Sequence, residues 1–102
     1  ALSEAMGGDL AFVKRMLAEF IAEAKEQIES AEKAYKSNDC PGVQSELHTI
    51  KGNSGTLGAS QVYEICKKIE AKAKVCNFTN FEKEIATLTS ALLTFEIEIV
   101  NL

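Results

Sequence analysis

The sequence predicts an all-α fold, an antiparallel up-and-down four-helix bundle preceded by a short N-terminal helical turn. Three observations carry that prediction. Apolar residues recur at three- and four-residue intervals along most of the 102 residues, which is the helical period and not the alternation of a strand. The strong punctuators are few, one proline and six glycines. The length suits one compact domain, expected to span residues 1–102.

A short opening turn is expected over residues 2–6, ended by Gly7-Gly8-Asp9, with Asp9 able to cap the long helix that follows. That helix, over about residues 9–37, places Leu10, Val13, Leu17, Phe20, Ile21, Ala24, Ile28, Ala31 and Tyr35 on one face. Ser37-Asn38-Asp39 breaks it. Pro41 suits the first turn of a second helix, about 41–57, because its missing N–H has no partner there anyway. Val43, Leu47, Ile50 and Leu57 supply its stripe, and Gly58 is a natural stop. A third helix, about 60–76, buries Val62, Ile65, Cys66, Ile69 and Ala73. Thr79 and Glu82 have the T-x-x-E form of a capping box and open a fourth helix, about 79–100. Phe81, Ile85, Leu88, Leu92, Phe95 and Ile99 step there in fours and threes as a bundle seam. Residues 96–100 alternate like a strand but have no partner strand, and read as the end of that helix.

With 15 acidic against 11 basic residues the net charge is −4, which argues against life on a nucleic-acid backbone. A kinase or dehydrogenase with its own nucleotide and substrate sites would need roughly 150 residues or more. There is no Gly-rich phosphate loop, ATP-binding pattern or acidic metal cluster, so carriers, adaptors and small binding modules remain. No run of about 18 apolar residues exists, and Lys14, Arg15 and Glu19 interrupt the N-terminal apolar region, so neither a membrane span nor a signal peptide is expected. The chain begins at Ala1, which suggests processing or a domain cut from something longer. Cys40, Cys66 and Cys76 are odd in number and form no C-x-x-C pair, so no disulfide framework is expected and a reducing cytoplasm is the simpler setting. A zinc site would need all three thiols and the histidine at unusual spacings. Cys66 reads as a small core residue.

One composition figure concentrates the chemistry: there is a single histidine, His48. At about 100° per residue, Val43, Leu47, Ile50, Ser54 and Leu57 share one direction, and His48 lies about 140° away from it, toward solvent. Lys51 falls near 80°, Gly55 near 120° and Gly52 near 180° on the same wheel. Glycine costs about 1 kcal/mol relative to alanine inside a helix, so two glycines on the open face point to a close approach by another molecule. Lys51, one turn on, is a point charge suited to a phosphoryl group. Lys67, Lys68, Lys72 and Lys74 read as one solvated face.

The run Leu47-His48-Thr49-Ile50-Lys51-Gly52-Asn53-Ser54-Gly55-Thr56-Leu57-Gly58-Ala59 resembles the H-x-x-K-G-x-S-x-x-x-G signature of histidine-containing phosphotransfer (HPt) domains. The likeness extends back to Gly7-Gly8-Asp9 and Phe20, and forward to Cys66-Lys67-Lys68-Ile69-Glu70. It implies that His48 carries a phosphoryl group on a ring nitrogen, Nε2, taken from a receiver-domain phospho-aspartate and passed to another receiver aspartate. An imidazole with an ordinary pKa near 6.5 is largely neutral and nucleophilic at cellular pH. On this reading Lys51 stabilises the phosphoryl charge, Gly52 clears the approach, Ser54 satisfies a helix contact, and Gly58 lets the next helix pack closely. Glu70 either accepts a hydrogen bond from His48 Nδ1–H and fixes the tautomer, or is an exposed carboxylate paired with Lys67 or Lys74.

The resemblance implies a monomeric carrier and not an enzyme, with no cofactor of its own, since Mg²⁺ and in-line geometry come from the receiver. Its partners would be receiver domains of response regulators or a hybrid histidine kinase, with no nucleic acid and no membrane contact by this domain. Its setting would be cytoplasmic, as a free protein or as the cytoplasmic C-terminal part of a membrane-bound hybrid sensor kinase. The docking surface is expected around Gln44, Ser45, Gly52 and Gly55, reaching Phe12 and Met16 on the first helix. Two alternatives stay open: the phosphotransfer domain of a chemotaxis-type kinase fed by ATP, and a helical adaptor that binds receivers without being phosphorylated.

Overall fold

The computed structural model describes residues 10–102, which hold four α-helices: α1 (Leu10–Lys36), α2 (Cys40–Leu57), α3 (Ser60–Ala73) and α4 (Phe81–Val100). The expected opening turn over residues 2–6, the Gly7-Gly8 stop and the Asp9 cap lie outside the described residues. Each helix packs antiparallel to the one before it, and α4 closes the ring against α1. The expected stripes meet in the middle. Val13, Leu17, Val43, Leu47, Ile50, Val62, Cys66, Ile69, Leu88 and Leu92 are all essentially sealed from solvent. Ile65, Tyr35, Leu57 and Phe95 are only half-buried at the edge of that core.

Leu10 departs from its expected place and is exposed. Val13, three residues on, is sealed, so the buried stripe of α1 begins there. Further along, Phe20 meets Phe95 edge-on at 6.0 Å. At the opposite end Tyr35 stacks on Phe81 with centroids 4.2 Å apart, and Phe78 packs edge-on against both rings.

Helix α2 starts at Cys40, one residue before the expected Pro41, because Asp39 is its cap: the side chain accepts the Gly42 N–H at 3.0 Å. It ends at Gly58, whose φ of +80° is the left-handed cap that lets the Ala59 N–H reach the Ser54 carbonyl at 2.9 Å. The expected reason for Gly58, close packing by the next helix, is wrong. A Cβ there would meet nothing within 4 Å among the described residues, so it is the backbone turn that calls for glycine.

Two further expectations at the α3–α4 connection are overturned. Helix α3 stops at Ala73 and not near residue 76, and the capping box at Thr79 and Glu82 does not form: the cap of α4 is Asn80, at φ 62° and without a side-chain bond. Thr79 is already committed. Its N–H donates to Asn77 Oδ1 at 3.1 Å and its carbonyl accepts from Lys72 Nζ, so the local Asx turn outcompetes the capping box. Lys72 also bonds Glu84 at 3.0 Å, which removes it from the solvated lysine face.

The cysteine expectation is corrected as well. Cys40 and Cys76 form a disulfide, with Cα atoms 5.5 Å apart, and only Cys66 is left as a buried free thiol. Spacing along the chain gives no hint of this pair. The antiparallel α2–α3 hairpin brings together the first residue of one helix and the turn after the other. No helix among the described residues is long and apolar enough to cross a membrane.

Candidate functional site

His48 sits two turns into α2 with its side chain 68% exposed, on the open face that the wheel predicted. Its Nδ1 stands 2.9 Å from Oε2 of Glu70 on α3. Glu70 itself is buried, with 3% relative exposure, and its other oxygen lies 2.6 Å from Lys51 Nζ. One carboxylate thus gathers both cationic or proton-bearing groups of the H-x-x-K run. This is the first of the two readings of Glu70; Lys67 and Lys74 stay exposed and do not pair with it.

The electrostatics of the cluster follow from its burial. Removal from water pushes the Glu70 carboxyl up, but the hydrogen bonds and charge of Lys51, then of His48, outweigh it and hold the group below the usual carboxylate range. Lys51 is moved the opposite way, above its ordinary value, chiefly by its hydrogen bond to Glu70. An ionised carboxylate can only accept. The proton in the 2.9 Å contact therefore belongs to His48 Nδ1, and in the neutral ring the lone pair is left on Nε2, on the far side of the imidazole.

The glycines separate into two kinds. A Cβ at Gly52 would meet nothing within 4 Å among the described residues, so the space beside His48 is open there. A Cβ at Gly55 would stand 3.2 Å from the Tyr63 ring. Gly55 therefore seats an aromatic side chain of its own molecule as well as facing outward. Tyr63 was missed from sequence. The available signal was its spacing, seven residues before Glu70, which puts both on the same side of α3. Ser54 is fully buried and donates to the Lys51 carbonyl at 2.9 Å, a helix contact as expected.

The remaining predicted residues are spread more widely. Gln44 and Ser45 lie one turn before His48, half-buried and exposed respectively. Phe12, 44% exposed, and the half-buried Met16 lie on α1. From the Ala34–Gly42 contact and the helical rise, they sit roughly 24 and 18 Å further along the bundle axis than His48, toward the end where α2 turns into α3.

A family model described as Hpt domain matches residues 15–96. The phosphorelay intermediate protein YPD1 of Candida albicans is 28% identical over 91 residues, covering 88% of this chain and 50% of that protein. The chain thus spans half the length of this curated relative. The crystal structure of histidine-containing phosphotransfer protein B from Pseudomonas aeruginosa PAO1 superposes with a TM-score of 0.87 over 98% of this chain and 84% of that one, at 21% identity. The match supports the fold, a helical bundle.

Proposed function

This chain belongs to the Hpt domain family, and on that premise we propose that it is a phosphocarrier in a multistep two-component phosphorelay. It takes a phosphoryl group onto His48 from the phospho-aspartate of one receiver domain and yields it to the aspartate of another. The observation that carries this reading is the pairing of an exposed imidazole with a buried carboxylate at 2.9 Å.

The chemistry follows from that pairing. The Nε2 lone pair attacks phosphorus while the P–O bond of the acyl phosphate breaks, and the aspartate oxygen leaves with the bonding electrons. A phosphorylated imidazole that keeps Nδ1–H carries positive charge on the ring, and the ionised Glu70 beneath it offsets that charge, as an orienting carboxylate does for imidazolium elsewhere. Lys51, 24% exposed and one turn from His48, turns from Glu70 toward the phosphoryl oxygens. The open space at Gly52 admits the receiver. Mg²⁺ and the in-line alignment come from the receiver, and the chain acts as a carrier with no cofactor of its own. Docking involves Gln44, Ser45, Gly55, Phe12 and Met16.

Mixing the protein with a phosphorylated receiver should yield label that is acid-labile and alkali-stable, as a phosphorus–nitrogen bond is, and His48→Gln should abolish it. Label that persists in His48→Gln, or that never appears in the wild type, overturns the proposal. Receiver binding without label would favour the adaptor reading.

A further inference from the structure

Cys40 and Cys76 take no part in the chemistry above, yet their disulfide encloses it. The bond joins the first residue of α2 to the turn after α3 across a separation of 36 residues, and His48, Lys51, Gly52, Tyr63 and Glu70 all lie within that loop. Gly55 facing Tyr63, His48 facing Glu70 and Cys40 bonded to Cys76 form three successive rungs of one antiparallel hairpin. Gly58 closes one end of that ladder by a backbone turn. The disulfide closes the other by a covalent bond.

Glu70 lies on the weak side of this hairpin. It belongs to the last turn of α3, which ends at Ala73, and the carbonyls of a last turn depend on N–H groups supplied by the residues that follow the helix, here residues 74–77. The turn is tied down by the Lys74 N–H on the Glu70 carbonyl at 3.1 Å, by the Asn77 N–H on the Lys72 carbonyl at 2.9 Å, and by the disulfide three residues after Ala73. Cys76 is an exposed residue and Cys40 a half-buried one, which places the bond at the surface of the bundle. Cys66 is not. It is buried in the core, and burial pushes its thiol up to about 12, which leaves it protonated and unreactive.

We propose that Cys40 and Cys76 form a thiol–disulfide exchange site, and that its redox state sets how firmly Glu70 is held against His48. A thiolate of a dithiol reductant attacks the Cys76 sulfur, the S–S bond breaks, and Cys40 leaves as a thiolate that takes up a proton. The second thiol of the reductant then resolves the mixed disulfide. The pair gains two electrons and two protons, and the reductant is oxidised to its own disulfide. In the oxidised state the end of α3 is pinned and Nδ1–H stays on Glu70. In the reduced state the last turn frays, the carboxylate is held less well, and the ring samples the other tautomer. The inference rests on the phosphocarrier reading for its consequence, but not for its structural half.

The full chain is compared before and after treatment with dithiothreitol, with thiols counted in denaturant, by ¹⁵N NMR of the His48 ring and by the rate of label transfer from a phosphorylated receiver. The oxidised protein should show a single Nδ1–H tautomer. Reduction should give a tautomer mixture and transfer slower by about three- to tenfold, a fraction of what losing an orienting partner outright costs. Cys76→Ser should match the reduced protein whether or not reductant is present, and Cys40→Ser, which removes the same bond, makes the comparison if that variant does not fold. An unchanged tautomer on reduction, or three free thiols in the air-oxidised protein, overturns the inference. A tautomer shift without label in either state leaves the exchange site standing and overturns the carrier reading instead.

Discussion

The Nδ1 of His48 and the Oε2 of Glu70 lie 2.9 Å apart, the imidazole open to solvent and the carboxylate buried beneath it. Because the same carboxylate holds Lys51 through its second oxygen, Glu70 couples the orientation of the ring to the resting position of the lysine. Removing its side chain should free both. Glu70→Ala is expected to slow phosphoryl transfer about 10-fold or more, by analogy with the carboxylates that orient metal-ligating histidines, while Glu70→Gln keeps an acceptor for Nδ1–H and should recover part of the loss. Single-turnover transfer from a phosphorylated receiver measures both. Equal rates in wild type and Glu70→Ala would remove the orienting role.

The same carboxylate makes a prediction about acid. Its ionised form is favoured in the folded protein, so its contribution to stability is complete above the ordinary carboxylate range and is lost as pH falls through the depressed folded value. Lys51, shifted upward, contributes through neutral pH and loses its share only under strongly alkaline conditions. Glu70→Gln should therefore be less stable than wild type by about 1–3 kcal/mol at neutral pH, and the gap should close below about pH 4. Thermal melts of the two proteins at pH 3 and pH 7 give the comparison. A gap that widens on acidification contradicts the sign.

How far the site was legible in sequence depends on how local each relationship is. His48, Lys51, Gly52 and Ser54 lie on one helix, so a 100° wheel is enough to place them, and the exposed histidine and buried serine stand where the wheel puts them. Glu70 fits either of two sets of partners in the sequence, because its contact crosses to another helix. Tyr63 against Gly55 and Cys40 with Cys76 depend on the same crossing, and neither the cysteine spacing nor the aromatic alone reveals it. The missed cap at Asn80 has a different origin: Thr79 satisfies a good local pattern but is taken up by Asn77 and Lys72.

The two glycines on the open face should respond differently to alanine. At Gly52 the added methyl has free space and gains helix propensity, so Gly52→Ala is expected to stabilise the fold by roughly 0.5–1 kcal/mol while slowing transfer, because the methyl occupies the receiver's approach. At Gly55 the same gain is offset, since the Tyr63 ring at 3.2 Å must give way by a few tenths of an ångström, and the net stability change should be near zero. Denaturant melts paired with transfer rates separate the two. A Gly52→Ala protein that transfers at the wild-type rate would contradict the clearance role.

The end of α2 separates backbone need from side-chain need. Gly58 has room for a methyl but sits at φ +80°, so Gly58→Ala should cost about 1–2 kcal/mol from the left-handed backbone. Gly58→Asn should cost less, because asparagine tolerates that region. A larger loss in Gly58→Asn than in Gly58→Ala, measured by urea unfolding, would show that space and not φ selects glycine there.

The docking surface has a size limit that makes it testable. A standard interface covers about 800 Å² per partner, a disc about 30 Å across, so a footprint centred on His48 reaches roughly 16 Å along the bundle. Met16 lies at that edge and Phe12 beyond it. For both to touch the receiver, the footprint must be displaced toward the end of the bundle where α2 turns at Gly58, over Gly52, Gly55 and Tyr63. Phe12→Ala and Met16→Ala should then each raise the receiver concentration needed for half-maximal transfer by about three- to tenfold, the cost of trimming an apolar contact at an interface. The rate at saturating receiver should hold, since neither side chain comes near the phosphoryl group. A weakened Met16→Ala with an unaffected Phe12→Ala would recentre the footprint on His48, and two unaffected variants would remove α1 from the docking surface altogether.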